Sequence, residues 1–206
     1  LGVLAHQEGE NEGAVGLISK ALAIKPDYAE AHNNLGLALQ ELGRLEEAVA
    51  SYHKALAIQP NDAAVHSNLG KVLWEMGQLE EAIASCQKAL AIKPKFAKAH
   101  CNLGTALQEV GSIDEALIHY HKAIDINPHY AEAYNNIGVA VQELGQLDEA
   151  VTYYRKALAI KPNFAEAFNN LGNAFKPLRQ LDDAVSTYRK ALAIKPDYTK
   201  AGRNLL

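Results

Sequence analysis

The sequence predicts an all-α solenoid of stacked antiparallel helix pairs, and three observations predict it. Prolines fall at 26, 60, 94, 128, 162 and 196, each 34 residues after the last. Alanines keep the same step at 14, 48, 82, 116, 150 and 184. The string AHNNLG from Ala31 returns as VHSNLG from Val65, AHCNLG from Ala99, AYNNIG from Ala133 and AFNNLG from Ala167. A period of this length is the mark of helical hairpins piled on one another, because a lone hairpin cannot bury enough apolar surface to offset the entropy of ordering it.

Full copies run over 29–62, 63–96, 97–130, 131–164 and 165–198, with partial copies at 1–28 and 199–206. The whole of 1–206 therefore reads as a single solenoid domain. In the copy from Ala29, the residues Ala31, Leu35, Leu39 and Leu42 recur at steps of three and four, which is the stripe of a helix. Gly43 stops it. A second stripe passes through Leu45, Ala48, Val49, Tyr52 and Leu56 until Pro60 prevents continuation.

Charge placement supports two helices per copy. Acidic pairs open each second helix (Glu46-Glu47, Glu80-Glu81, Asp114-Glu115, Asp148-Glu149, Asp182-Asp183), and Lys54, Lys88, Lys122, Arg155-Lys156 and Arg189-Lys190 are expected to close it, as the helix dipole favours. Ser112 and Glu115 have the spacing of a capping box. A glycine at 2, 36, 70, 104, 138 and 172 lies on each first helix, where it costs about 1 kcal/mol relative to Ala unless a neighbour needs the space. With the Ala series on the second helices it is expected to let paired helices approach closely. Tyr52, Tyr120, Tyr154 and Tyr188 fill the adjoining layer, and Cys86 takes the equivalent place as a small core hydrophobe. The sixth copy departs: Pro177 replaces a Glu and Arg179 replaces the helix-ending Gly, so a kink or hinge is expected at 176–180.

These residues resemble the tetratricopeptide repeat (TPR) family over essentially the whole chain. The resemblance rests on the pairs Leu35-Gly36, Leu69-Gly70, Leu103-Gly104, Ile137-Gly138 and Leu171-Gly172, the small Ala twenty residues into each copy and the aromatic four further on. Ala55, Ala89, Ala123, Ala157, Ala191 and the closing Pro complete it. The family implies a right-handed superhelix whose first helices line a concave groove that holds an extended peptide or a partner helix. A narrower resemblance is to the superhelical repeats of O-linked N-acetylglucosamine transferases, in which an Asn ladder grips peptide backbone. The matching positions here are Asn34, Asn68, Asn102, Asn136, Asn170 and Asn204.

At about 100° per residue, the face opposite the apolar stripe of the first helix carries copy positions 2, 5, 6, 9, 12 and 13. Along the stack this gives an amide-rich surface made of Asn34, Asn68, Asn102, Asn136, Asn170 and Asn204, with Asn33, Asn135 and Asn169 beside them and Gln40, Gln108 and Gln142 further along. A side-chain amide both donates and accepts, so it can hold a peptide's N–H and C=O with little regard for the ligand's side chains. The alternative use of the Asn series is to tie each helix to the next repeat. Trp74 is a candidate aromatic anchor. Glu41, Glu75, Glu109 and Glu143 form an acidic row that is either solvated or favours a basic ligand. Only Lys71, Lys98 and Lys176 are scattered where some family members clamp a terminal carboxylate, so no such binding is expected.

The remaining signals exclude more than they add. A net charge of −4 gives no global attraction to nucleic acid or to an anionic membrane. No apolar run approaches the roughly 20 residues needed to cross a bilayer. Cys86 and Cys101 cannot build a disulfide framework, and Cys101 reads as a free thiol on the groove side. His32, His66 and His100 recur one copy apart, too far to share a metal, and are expected to pack between repeats where Tyr134 and Phe168 also sit. There is no phosphate-binding glycine loop, nucleophile elbow or zinc spacing, so no catalytic residue, metal or cofactor is assigned. The chain begins and ends inside the repeated pattern, which suggests a piece of a longer protein; a cytoplasmic setting is expected. Thr199 to Leu206 start a first helix without its mate, an apolar side open to self-association. The reading is an interaction scaffold with a protein or peptide in its groove. Its rivals are the substrate-recognition arm of a larger glycosyltransferase-like enzyme and a self-assembling scaffold.

Overall fold

The computed structural model describes residues 11–205. Gly2 of the glycine series, the start of the partial copy 1–28 and Leu206 lie outside the described residues. The chain forms two compact units, Leu1–Val110 and Gly111–Leu206. The first unit holds α1 (Asn11–Ile24), α2 (Ala29–Glu41), α3 (Leu45–Ile58), α4 (Ala63–Glu75), α5 (Leu79–Ile92) and α6 (Ala97–Glu109). The second holds α7 (Ile113–Ile126), α8 (Ala131–Glu143), α9 (Leu147–Ile160), α10 (Ala165–Phe175), α11 (Leu181–Ile194) and α12 (Thr199–Asn204). Among the described residues every regular element is a helix, and none is long and apolar enough to cross a membrane.

Each helix packs on the next within its unit, with the tightest pairs being α2 with α3, α4 with α5, α8 with α9 and α10 with α11. Alternate first helices also touch, α2 with α4 and α4 with α6 in one unit, α8 with α10 and α10 with α12 in the other. That is the stacked-hairpin architecture expected from the period. The Ala series lies at the centre of the pairs, and Tyr52, Tyr120, Tyr154, Tyr188 and Cys86 are buried beside it.

The structure makes the glycine requirement more specific than a close approach of two helices. A Cβ placed on Gly36 would lie 2.6 Å from Tyr52 Cε1, and one on Gly138 would lie 2.6 Å from Tyr154 Cε1. The tyrosine ring of the second helix therefore rests on the bare backbone of the first. A buried phenol needs a partner for its hydroxyl. One turn beyond the glycine an amide supplies it: the Tyr52 hydroxyl donates to Gln40 Oε1 at 3.3 Å and that of Tyr154 to Gln142 Oε1 at 2.9 Å. In the last pair Tyr188 donates to Asn173 Oδ1 at 2.8 Å. Burial raises the pKa of Tyr52 and Tyr154 above the ordinary phenol value, reinforced by Glu75 and Glu41 around the first and by Glu143 and Glu166 around the second.

The turn inside each hairpin closes through a left-handed glycine. Gly43 has φ 72°, and beyond it Arg44 N–H donates to Leu39 O at 2.9 Å. In the sixth copy α10 ends at Phe175, two residues before the place where Glu41, Glu75, Glu109 and Glu143 end the other first helices. Pro177 lacks an N–H, so the last turn cannot continue as an α-helix. The turn nevertheless closes as elsewhere, with Gln180 N–H on Phe175 O at 3.1 Å, and Arg179 takes the glycine's conformation at φ 58°. Where a kink or hinge was expected at 176–180, the helix is two residues shorter and its turn keeps its closing bond.

Two expectations about helix ends are corrected. Ser112 makes no capping bond. Its φ −82° and ψ 62° match Arg44 at −86° and 65°, so the glycine turn sets this backbone, and it is not the extended N-cap conformation a Ser cap uses. Among the described residues a side chain that does cap a helix is Asp62, which accepts from Ala64 N–H at 2.8 Å and Val65 N–H at 3.1 Å. The basic residues, too, do not close the second helices: α3, α5, α7, α9 and α11 run on to an isoleucine, and their last turns hold no base. In the second unit these bases cover rings instead, Lys156 Nζ at 5.2 Å from the Tyr153 centroid and Lys190 Nζ at 5.7 Å from that of Phe168.

Three outcomes follow from this packing. Gly138→Ala should destabilise by about 2 kcal/mol through overpacking on Tyr154, whereas Gly16→Ala on α1, where a Cβ meets nothing within 4 Å, should stabilise by about 0.5–1 kcal/mol; urea-unfolding midpoints give both signs. Arg179→Gly should add about 0.5–1 kcal/mol by relieving the left-handed conformation, and an unchanged or lowered midpoint would contradict that. Because Tyr52 and Tyr154 have pKa values raised above the unfolded phenol, their contribution to stability is complete below about pH 10 and is lost as pH rises through their folded values. On alkaline titration their tyrosinate absorbance should appear together with loss of helical circular dichroism, after the exposed phenols have ionised.

Candidate functional site

The amide surface forms on the first helices, and its geometry follows from how those helices lean on each other. In the first unit Asn68 Nδ2 donates to Asn33 Oδ1 at 3.0 Å, 35 residues back, and Lys98 Nζ donates to Asn68 Oδ1 at 2.8 Å. Asn102 Nδ2 donates to both the backbone oxygen and the hydroxyl of Ser67, each at 3.0 Å. In the second unit Asn170 Nδ2 donates to Asn135 Oδ1 at 3.1 Å, and Asn204 Nδ2 to Asn169 Oδ1 at 3.0 Å. Two longer contacts of 3.4 Å, Asn135 to Asn136 and Asn169 to Asn170, join these amides into one chain from Asn204 to Asn136.

The structure thus separates the sequence-predicted residues by access. Asn68, Asn135 and Asn169 are only 5%, 1% and 3% exposed and spend their amides inside the stack. Asn33, Asn34, Gln40, Trp74, Asn102, Gln108, Asn136, Gln142 and Asn170 are half-buried, each with part of its surface open. Cys101 was expected on the groove side as well and is 4% exposed, with its thiol in no disulfide. For Asn135 and Asn169 the reason is the same: a wheel drawn for one helix shows copy position 5 as open, but the next first helix leans onto that flank and its Asn, Asn170 or Asn204, reaches back across it.

Other side chains give the face its local character. Trp74 packs against the core cluster that contains Val72, Leu73 and Leu69 and is half-buried. Gln40 holds the Tyr52 hydroxyl with its oxygen and donates from Nε2 to Glu75 at 2.9 Å, and Lys71 Nζ lies 3.6 Å from the same carboxylate. One member of the acidic row is therefore already engaged. Lys98 is the residue whose weight sequence reading underrated: burial lowers its pKa, Lys71 lowers it further, and a single amide oxygen is its hydrogen-bond partner. No signal in the sequence alone showed that this lysine would be drawn against Asn68.

The recurring histidines serve the stack. His32, His66 and His100 bond through Nε2 to the carbonyls of Pro26, Pro60 and Pro94 at 2.9, 2.9 and 3.0 Å. A proline carbonyl can only accept, so Nε2 carries the hydrogen. Among the described residues no group of His, Cys, Asp and Glu is arranged to hold a metal. Burial pushes the Cys86 thiol up to about 12, with Cys101 adding to the shift, so it is far from the thiolate form that nucleophilic chemistry needs.

The repeat geometry and its residues match a known family. The tetratricopeptide repeat model fits residues 27–95 and again 95–163, and related models fit 2–43 and 153–186. The chain belongs to the tetratricopeptide repeat family. It is accordingly a protein-interaction scaffold. Among solved structures it resembles one in the crystal structure of the APC/C hetero-tetramer Cut9–Hcn1, at TM-score 0.89 and 18% identity over 99% of this chain. This chain spans 40% of that one. It also resembles TTC0263, a thermophilic TPR protein of Thermus thermophilus, at TM-score 0.79 and 23% identity, over 86% of this chain and 97% of that one. YrrB, a TPR protein described as having an unusual peptide-binding site, aligns at TM-score 0.58 and 27% identity, over 90% of this chain and 96% of that one. No curated protein sequence matches it.

Proposed function

We propose that the TPR face made by the first helices binds an extended peptide segment of a partner protein through its half-buried amides. The observation that carries this reading is the incomplete use of those amides. Asn102 gives both its contacts from Nδ2, which leaves Oδ1 an acceptor with no partner among the described residues, and Asn34 makes no hydrogen bond to any of them. A peptide backbone presents N–H and C=O groups at regular intervals, which suits acceptors and donors fixed in place by their own helices. The ends already tied to Ser67 and Asn135 supply the preorganisation, since an immobilised side chain loses little entropy on binding. The peptide-binding site described for YrrB supports this use of the fold, and the Cut9–Hcn1 assembly supports a protein partner. Lys98 and Lys71 favour an acidic or carbonyl group in the ligand at the level of α4 and α6.

Trp74 is the chain's one tryptophan, so its fluorescence reports occupation directly. Peptides selected from a random library should quench or shift Trp74 emission on binding. Asn34→Ala, which breaks no described hydrogen bond, should weaken them about tenfold while changing stability by no more than about 0.5 kcal/mol. Asn68→Ala, which strands Lys98, should instead cost about 1–3 kcal/mol of stability. Selected peptides that leave Trp74 emission unchanged and bind Asn34→Ala as tightly as the parent would place the binding face elsewhere and refute the reading.

A further inference from the structure

The second helices of the second unit carry a charged surface apart from the amides. α9 opens on Asp148 and Glu149, and α11 on Asp182 and Asp183, all exposed. Two turns further on, about 10 Å along the axis, stand Arg155 and Lys156 on α9 and Arg189 and Lys190 on α11, exposed as well. Residues four and seven positions apart share one side of a helix, so each acidic pair and its basic pair look outward together. Midway between them are Thr152 and Ser186, small and exposed.

None of these acids or bases forms an ion pair with a described residue. On one helix they stand too far apart to pair, and the period sets acid beside acid and base beside base in successive copies. The cations are nonetheless held in place. Lys156 Nζ lies 5.2 Å from the Tyr153 centroid, Lys190 Nζ 5.7 Å from that of Phe168, and Arg155 Cζ 5.9 Å from that of Phe175. Side chains fixed in this way lose less freedom on binding. The first unit lacks this balance: the same places in α3 and α5 set Glu46, Glu47, Glu80 and Glu81 against Lys54 and Lys88 alone, and Glu47 is bonded to Arg44.

A row of acids and an equal row of bases form a surface that is its own complement. Turned end for end, it sets bases over acids and acids over bases. We propose that a second copy of this chain docks on this face, related by a two-fold axis that passes over Thr152 and Ser186, with each helix antiparallel to its counterpart. Asp148 and Glu149 then meet Arg155 and Lys156 of the second copy, and Asp182 and Asp183 meet its Arg189 and Lys190. α7 continues the pattern with Asp114, Glu115 and Lys122. Its Ile118, 54% exposed at the place equivalent to Thr152, comes onto the axis and meets itself. Such self-matching two-fold contacts are the commonest in homo-oligomers. A nucleic acid or a wholly acidic segment fits less well, because the acidic row repels it.

The test is sedimentation velocity of the whole chain over a range of concentration and salt, with charge reversals on the two rows. The parent should dimerise reversibly, at least about tenfold more weakly in about 0.5 M than in about 0.05 M sodium chloride. Lys156→Glu with Lys190→Glu, and separately Glu149→Lys with Asp183→Lys, should each stay monomeric where the parent is dimeric. An equimolar mixture of these two variants should restore the dimer, a rescue that misfolded chains could not give. The neutral pair Lys156→Gln with Lys190→Gln should weaken the dimer severalfold, which keeps a readout if a reversal disturbs folding. Asn34→Ala should leave it unchanged, so this proposal stands or falls apart from the amide face. A parent monomeric throughout, a dimer indifferent to salt and to the substitutions, or a variant mixture that stays monomeric would each overturn it.

Discussion

A tyrosine ring lying on a glycine backbone is the contact on which the rest of the structure depends. It fixes the distance and the rotation between the two helices of a hairpin at once, because the ring fits only where the first helix has no Cβ. It also carries an obligation. A phenol sealed between helices must have its hydroxyl satisfied, and the amide one turn past the glycine is the group within reach. Gln40 and Gln142 are held in place by this bond, so the surface of the first helices inherits its order from the core beneath.

Outside each hairpin a second constraint takes over. Stacking brings a first helix onto the flank of the one before it, and an Asn at copy position 6 reaches back 35 residues to close the seam. A side-chain amide has more hydrogen-bonding capacity than this single task uses. One end can tie the stack while the other remains available. The two uses weighed for the Asn series are therefore not exclusive, and access, which differs from repeat to repeat, decides how much of each amide is left.

The features legible in the sequence were those that repeat with the chain itself. Pro60 and its counterparts, Gly43, the Leu-Gly pairs and the buried tyrosines give helix number, helix limits and core without knowledge of any neighbour. What was not legible depended on a second helix. The flank carrying Asn135 and Asn169 looks open on a single helix and is covered in the stack. Lys98 looks like a scattered surface lysine until Asn68 from the preceding repeat meets it. The failed cap at Ser112 has a different origin: its side chain is right for the role, and the backbone conformation imposed by the preceding glycine turn is not. The bases placed at helix ends by the dipole rule miss by one turn, because the rule gives a preference of a few tenths of a kcal/mol that ring contacts and the isoleucine ends outweigh.

The same architectural problem is also solved differently in the two units. Every repeat must fasten its first helix to the turn that precedes it, since the proline there removes a donor and leaves a carbonyl facing inward. In the first unit His32, His66 and His100 meet that carbonyl directly. In the second, Tyr134 and Phe168 take the place and cannot make that ring-nitrogen bond, and the local order comes from cations over rings, Lys156 above Tyr134 and Tyr153 and Lys190 above Phe168. A hydrogen bond in a buried turn is directional and little affected by salt, whereas an ammonium over a half-buried ring is neither. Copies that share a backbone therefore differ in how firmly their turns are held. That difference comes from one residue per repeat, at a position next to the amides that the proposed ligand would use.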